Sequence, residues 1–174
     1  MYKDNGNGVY TFNGDLKQFL LDKGVEAEHI EKMKQKKLQH DKFFRYYDSN
    51  NVKNDRAERE NRLVPLARVI GTSRGTIGAS VFDNVRTMKD GKRDSTRFYS
   101  CLKFLNKMSL EELRESYKTI SPVEMEYYTD EDEYYVTSDG NHRTLTAMLV
   151  GAEYINANVT PLYCNFEGGT NVLQ

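Results

Sequence analysis

Asp139, Gly140, Asn141, His142, Arg143 and Thr144 form one unbroken run, and their types at this spacing suit the handling of an anion. A strand that ends in a glycine turn and feeds straight into a helix leaves the first amide N–H groups of that helix without partners and partly positive. Gly140 would let a ligand approach the backbone, and Arg143 offers a forked donor matched to phosphate oxygens. His142 can donate a hydrogen bond or move a proton. Asp139 has four open roles: cap of the helix, orienter of His142, holder of a divalent cation, or base. The plain alternative is that Asp139 is only a cap, His142 and Arg143 are surface residues of a first turn, and nothing binds.

The elements that must position this turn can be read on either side of it. Tyr134 to Thr137 is a strand, and Val123, Met125 and Tyr127 alternate with Glu124, Glu126 and Tyr128 as its hairpin partner. Alternation sets Glu124 and Glu126 on one side of that partner strand. After the turn, Leu145, Met148 and Leu149 give a helix closed by Gly151, and residues 155–159 form a last strand.

Upstream, residues 1–12 read as a frayed, Gly/Asn-rich start, followed by a helix capped by Asn13 or Asp15 and closed by Gly24. Residues 26–48 suggest a longer helix whose lysines at 32, 34, 36 and 37 form a solvated face, and residues 56–62 a short charged helical piece. Val64 to Ile70, ended by Gly71, suits one strand. Phe98, Leu102 and Leu105 mark a helix after a surface turn at 89–94, and Ser109-Leu110-Glu111-Glu112 is a capping box opening another through about Lys118. The expected organisation is a helical appendage over 1–60, an α/β domain with a small mixed sheet over 61–165, and a tail over 166–174.

Bulk properties narrow the classes. At 174 residues the chain can bury one proper core. A net charge of −1 excludes a uniformly basic nucleic-acid coat but allows a local basic patch. No run approaches a membrane span and residues 1–8 lack a secretory or transit pattern, so a cytoplasmic protein is expected. Cys101 and Cys164 fit no C-x-x-C pair and read as reduced, partly buried thiols, so no metal site is expected. His29 and His40 read as surface histidines, and the tyrosine pairs 46–47, 127–128 and 134–135 as core and rim aromatics.

The stretch from Tyr135 to Thr144, with Ala147, Gly151 and residues 155–159 after it, resembles the signature of the ParB/sulfiredoxin superfamily, including ParB-like nuclease domains. Ser121-Pro122-Val123-Glu124 resembles the strand before that signature, and residues 66–74 the family's first strand and loop. The resemblance spans about 63–162 and is specific over 135–159. It implies a ParB/sulfiredoxin-like fold in which Gly140, Asn141, His142, Arg143 and Thr144 hold phosphates of ATP, ADP or CTP, with Mg²⁺. Implied activities are nucleotide hydrolysis, phosphotransfer or DNA cleavage, with Asp139 and His142 as catalytic candidates. Kinase-like members use a separate glutamate as base, which by resemblance points to Glu124, with Glu126 close behind. Glu131, Asp132 and Glu133 are read as a solvated turn that can recruit Mg²⁺. Asn141 stands where sulfiredoxins carry their reactive cysteine, which argues against their chemistry. The chain ends about thirty residues after the turn, which argues against a partition role.

A competing reading takes residues 66–82 as a helix-turn-helix that presents Arg74 to DNA, making the chain a non-catalytic regulator. In the first reading Arg74 sits on a loop leaning over the phosphate turn. A third reading is an interaction module with a vestigial site. Partners are thus a nucleotide or nucleic acid, no membrane, with a homo-oligomer left open; the Asn-, Lys- and Tyr-rich composition suits a bacterial or phage genome.

Overall fold

The computed structural model of the chain describes residues 1–39, 59–76, 78–88 and 92–162, and the backbone alone at 52–53 and 163–164. The expected tail at 166–174, His40 and Tyr46-Tyr47 lie outside these described residues.

The start of the chain is not frayed. Strands β1 (Tyr2–Asp4) and β2 (Tyr10–Phe12) pair as an antiparallel hairpin. The Tyr2 ring meets Phe12 edge-on at 5.6 Å, and its hydroxyl donates to the Val85 carbonyl at 2.7 Å. Buried aromatics thus outweigh the local Gly/Asn signal. Helix α1 (Leu16–Asp22) starts where Asp15 accepts from the amides of Lys17 and Gln18, and it buries Leu16 and Leu20 one turn apart. Gly24 follows at φ +90°.

Helix α2 (Ala27–Gln35) is shorter than the expected 26–48. The chain leaves it for an extended path in which Leu38 is buried, the Gln39 amide donates to the Ile70 carbonyl at 3.0 Å and its carbonyl accepts from Thr72 at 2.9 Å. Long-range pairing overrides helix propensity there.

A two-residue strand β3 (Val52–Lys53) precedes β4 (Glu60–Pro65), so residues 60–62 are extended rather than helical. The single strand expected over 64–70 is two. Pro65 has no N–H to continue a ladder, a 3-10 turn follows at Leu66–Arg68, and β5 (Val69–Thr72) resumes on the far edge of the sheet. This also removes the helix-turn-helix reading, because residues 69–72 are a strand parallel to its neighbour.

Ser80 caps α3 (Val81–Arg86), which runs into β6 (Thr87–Met88), the third strand of the small sheet β1-β2-β6. Helix α4 (Lys92–Leu102) buries Phe98 and Leu102, and Leu105 follows on a 3-10 turn. Both bonds of the Ser109/Glu112 capping box open α5 (Leu110–Ser116). Then come β7 (Val123–Tyr128), β8 (Glu133–Val136), α6 (Asn141–Val150) and β9 (Tyr154–Cys164).

The chain is therefore α/β, with a six-stranded mixed sheet ordered β3-β9-β7-β8-β5 and β4 also paired to β9. β7 lies antiparallel to β8 and parallel to β9, and β5 lies parallel to β8. Val123, Met125, Ile155, Ala157 and Val159 meet Leu145, Met148 and Leu149 of α6 in one buried cluster, which also contains Leu16, Leu20, Ile30 and Met33 of the first two helices. Among the described residues no helix is long and apolar enough to cross a membrane.

Candidate functional site

β5 and β8 run side by side and end together, Thr72 opposite Val136, so their following loops emerge next to each other. Loops at the carboxyl ends of parallel strands are where open α/β sheets bind ligands. One loop carries Ser73, Arg74 and Gly75. The other is the Asp139-Gly140 turn into α6. The Ser73 amide donates to the Val136 carbonyl at 2.8 Å, and the Thr72 hydroxyl donates to the Asn141 side-chain carbonyl, locking the two loops. Asn141 Nδ2 reaches Ser73 Oγ and the Ser138 carbonyl, each at 3.4 Å. The Asn141 side chain is thus committed to the fold, and what it can offer a ligand is its backbone amide.

Gly140 begins α6 at φ +98°, a left-handed conformation. A Cβ there would lie 2.3 Å from Val123 Cγ1, so the glycine is needed for close packing against β7 and not for the approach of a ligand. Asp139 does not cap the helix, which has no side-chain cap. Its carboxylate instead accepts from Arg143 Nη2 at 2.7 Å, while Arg143 Nη1 donates to the Ser121 carbonyl. Arg143 therefore faces its own turn.

The two ends of α6 differ. At the C-terminal end His29 donates to the Met148 carbonyl at 2.8 Å and Arg114 Nε to the Val150 carbonyl at 2.8 Å, placing donors where the helix dipole is negative. His29, expected on the surface, is a half-buried part of this cap. At the N-terminal end the amides of Asn141, His142 and Arg143 have no acceptor among the described residues; the Thr144 amide closes onto the Gly140 carbonyl at 2.8 Å.

A cavity of about 610 Å³ opens beside this end, lined by Arg74, Asn84, Asp94, Phe98, His142 and Leu145 among others. A second, of about 230 Å³, is lined by Arg97, Cys101, Asp139, Gly140, His142 and Arg143. His142 borders both. Its Nε2 sits 3.0 Å from Asp94 Oδ1, and its ring packs edge-on against Phe98 at 4.7 Å. Burial holds the imidazole below its ordinary range, Asp94 works against that shift, and Arg97 and Arg74 add to it. Neither Arg74 nor Arg97 is in an ion pair among the described residues. Burial pushes the Cys101 thiol up, so it is a poor nucleophile.

Glu124 is elsewhere: its carboxylate takes Arg59 and, at 3.0 Å, Asn158 Nδ2, and it borders neither cavity. Thr144 is buried within the helix and borders neither. Glu131, Asp132 and Glu133 lie at the opposite end of the β7–β8 hairpin from Gly140, with Asp132 held by Arg68 and Tyr127. The structure thus gathers Gly140, Asn141, His142, Arg143 and Arg74, and adds Asp94, Arg97 and Phe98, which sequence reasoning missed. A signal for Asp94 existed. It precedes Phe98 and Leu102 by one and two helical turns, a carboxylate on the apolar stripe of α4. A comparison with models of known protein families and with curated protein sequences returned no match.

Proposed function

We propose that the chain binds the phosphates of a nucleotide at the N-terminal end of α6, with the nucleoside in the larger cavity. The observation that carries this reading is the asymmetry of α6. Its C-terminal carbonyls are met by His29 and Arg114, while the amides of Asn141, His142 and Arg143 are left free beside two arginines, Arg74 and Arg97, that no described carboxylate neutralises. Partly positive amides, a helix dipole and guanidinium groups together favour an anion with several oxygens. A cavity of about 610 Å³, bordered by Phe98 and Leu145 as well as polar groups, has the size and mixed lining of a small-molecule site. The resemblance of Tyr135 to Thr144 to ParB/sulfiredoxin-type phosphate turns supports the same assignment. Mg²⁺ would arrive with the nucleotide, since the adjacent carboxylates Asp94 and Asp139 are engaged by His142 and Arg143.

The test is a thermal-shift panel of ATP, ADP, CTP and GTP with and without Mg²⁺. At a hundredfold excess over Kd a ligand stabilises by about 2.7 kcal/mol, or roughly 5–10 °C for a chain of this size. Arg74→Ala and Arg97→Ala should each lower the gain. One observation favours a second reading, an interaction module whose site is unused: Arg143 is bound to Asp139 and Ser121. That reading prevails if no nucleotide moves the melting temperature.

A further inference from the structure

We propose that the outer edge of β4 is a self-association surface: two copies of this chain pair along it, antiparallel about a two-fold axis at Asn61, and join their six-stranded sheets into one. The pairing needs no nucleotide.

The two edges of the sheet differ. Along β5, the Gln39 amide donates to the Ile70 carbonyl and the Gln39 carbonyl accepts from Thr72, so that edge is covered. Along β4, only β9 pairs with the strand among the described residues. The ladder shows which groups of β4 point out, because opposing residues of an antiparallel pair alternate between bonded and non-bonded positions. Leu66 donates to the Glu153 carbonyl at 3.0 Å in the register that pairs β4 with β9. Asn156, opposite Leu63, sends its N–H the other way, to the Tyr117 carbonyl at 2.9 Å. The even-numbered residues of β4 therefore bond β9, and the N–H and C=O groups of Asn61 and Leu63 point outward.

Exposed edges are ordinarily guarded by charged side chains, proline or bulges. Here Pro65 guards only the end of the strand. Arg59 reaches inward to Glu124, Asn61 Nδ2 to the Asn158 side chain at 3.2 Å, and the Arg62 guanidinium lies 4.6 Å from the centre of the Tyr127 ring. The uncovered backbone is left beside Leu63, an apolar side chain that is 46% exposed. Such an edge takes another strand through main-chain hydrogen bonds.

The charges of β4 favour a second copy and set the register. Glu60 and Arg62 share one face of the strand, and neither has an oppositely charged partner among the described residues. With Asn61 across from Asn61, Glu60 of each copy stands opposite Arg62 of the other, an attraction made twice. Setting Asn61 across from Leu63 would place Arg62 against Arg62. Setting Leu63 across from Leu63 would bring Asn61 to Pro65, which has no N–H to give. A single strand edge buries less than about 1,200 Å², so the association is weak and concentration-dependent.

The experiment is sedimentation equilibrium with amide hydrogen exchange on the full chain, from about 10 µM to about 1 mM. Dimer should form as concentration rises, and the Asn61 and Leu63 amides should gain protection with it, while those of Arg62 and Val64 are protected throughout. Glu60→Arg and Arg62→Glu should each weaken dimerisation about tenfold or more, since two cross-strand pairs turn from attraction to repulsion. An equal mixture of the two should restore it. Asn61→Pro removes an N–H that the monomer does not use, so it should abolish the dimer and leave the circular dichroism spectrum unchanged. It serves as the test if Arg62→Glu fails to fold. Protein that stays monomeric at every concentration overturns the proposal. So does a dimer that survives Asn61→Pro, or one whose Asn61 and Leu63 amides exchange as fast as in dilute protein. Folded charge variants that stay monomeric when mixed overturn the register.

Discussion

Replacing Gly140 with alanine perturbs the turn at a point where two independent costs can be worked from the geometry. The first is conformational: φ +98° lies where an L-residue is strained, at roughly 1–3 kcal/mol. The second is steric. The new methyl would stand 2.3 Å from Val123 Cγ1 and 2.4 Å from Val123 Cβ, and Val123 is fully buried against β9, so it cannot swing clear. Overpacking of this kind costs about 1–3 kcal/mol. The sum, about 2–6 kcal/mol, is a large part of the 5–15 kcal/mol that holds a typical domain together. Urea unfolding followed by circular dichroism should show the unfolding free energy falling by that amount, as a lower midpoint at unchanged slope. Pairing the change with Val123→Gly separates the two costs: the double variant should be at least about 1 kcal/mol more stable than the sum of the single effects implies, because both the Cγ1 and the Cβ overlaps are gone. A Gly140→Ala protein within about 0.5 kcal/mol of wild type would refute the reasoning, and additive single effects would refute its steric half.

Other predictions follow from the same geometry. Asp139→Ala should change stability by less than about 1 kcal/mol, because its ion pair with Arg143 is solvent-exposed, yet it should tighten ATP binding several-fold in calorimetry by freeing the guanidinium and removing a like charge. Arg74→Ala should weaken ATP about 10- to 150-fold, the equivalent of one charge-assisted bond of about 1.5–3 kcal/mol. His142, held neutral below its ordinary value of 6.5, makes the folded state lose stability as pH falls below 6.5, since the unfolded chain takes up that proton first; the slope ends at the lowered folded value. Comparing denaturant midpoints of wild type and His142→Gln at about pH 7 and pH 5 checks this, and a constant difference would count against it. Gly71→Ala should cost about 1–3 kcal/mol by urea unfolding, because its methyl would stand 2.4 Å from the buried Tyr135 ring and 2.8 Å from the Gln39 carbonyl.

Local signals carried some of this structure and long-range ones the rest. The hairpin, α6 and its two glycines, and the Ser109 capping box were legible because each is decided within a few residues. The end of α2, the N-terminal hairpin and the partition of residues 60–72 into two strands were not, because partners far along the chain decide them: Gln39 with Ile70, Tyr2 with Val85, β4 with β9 and β5 with β8. Pro65 was the overlooked local clue to that partition. At the site, the turn itself was legible but the loyalties of its side chains were not. Asp139 and Arg143 satisfy each other, Asn141 is taken by Thr72, and His142 looks 48 residues back to Asp94. Spacing alone shows which residues share a turn, whereas their partners are set by which elements pack beside it.

The central claim, that the first amides of α6 meet the phosphates of a nucleotide, is tested most directly by titrating ¹⁵N-labelled protein with ATP and following backbone amide signals. The largest saturable shifts should fall on Asn141, His142 and Arg143, with Arg74 and Arg97 moving beside them and all of them blunted by Arg74→Ala. Shifts confined to other surfaces, such as the lysine-bearing face of α2, or no saturable shift at all, would contradict the account.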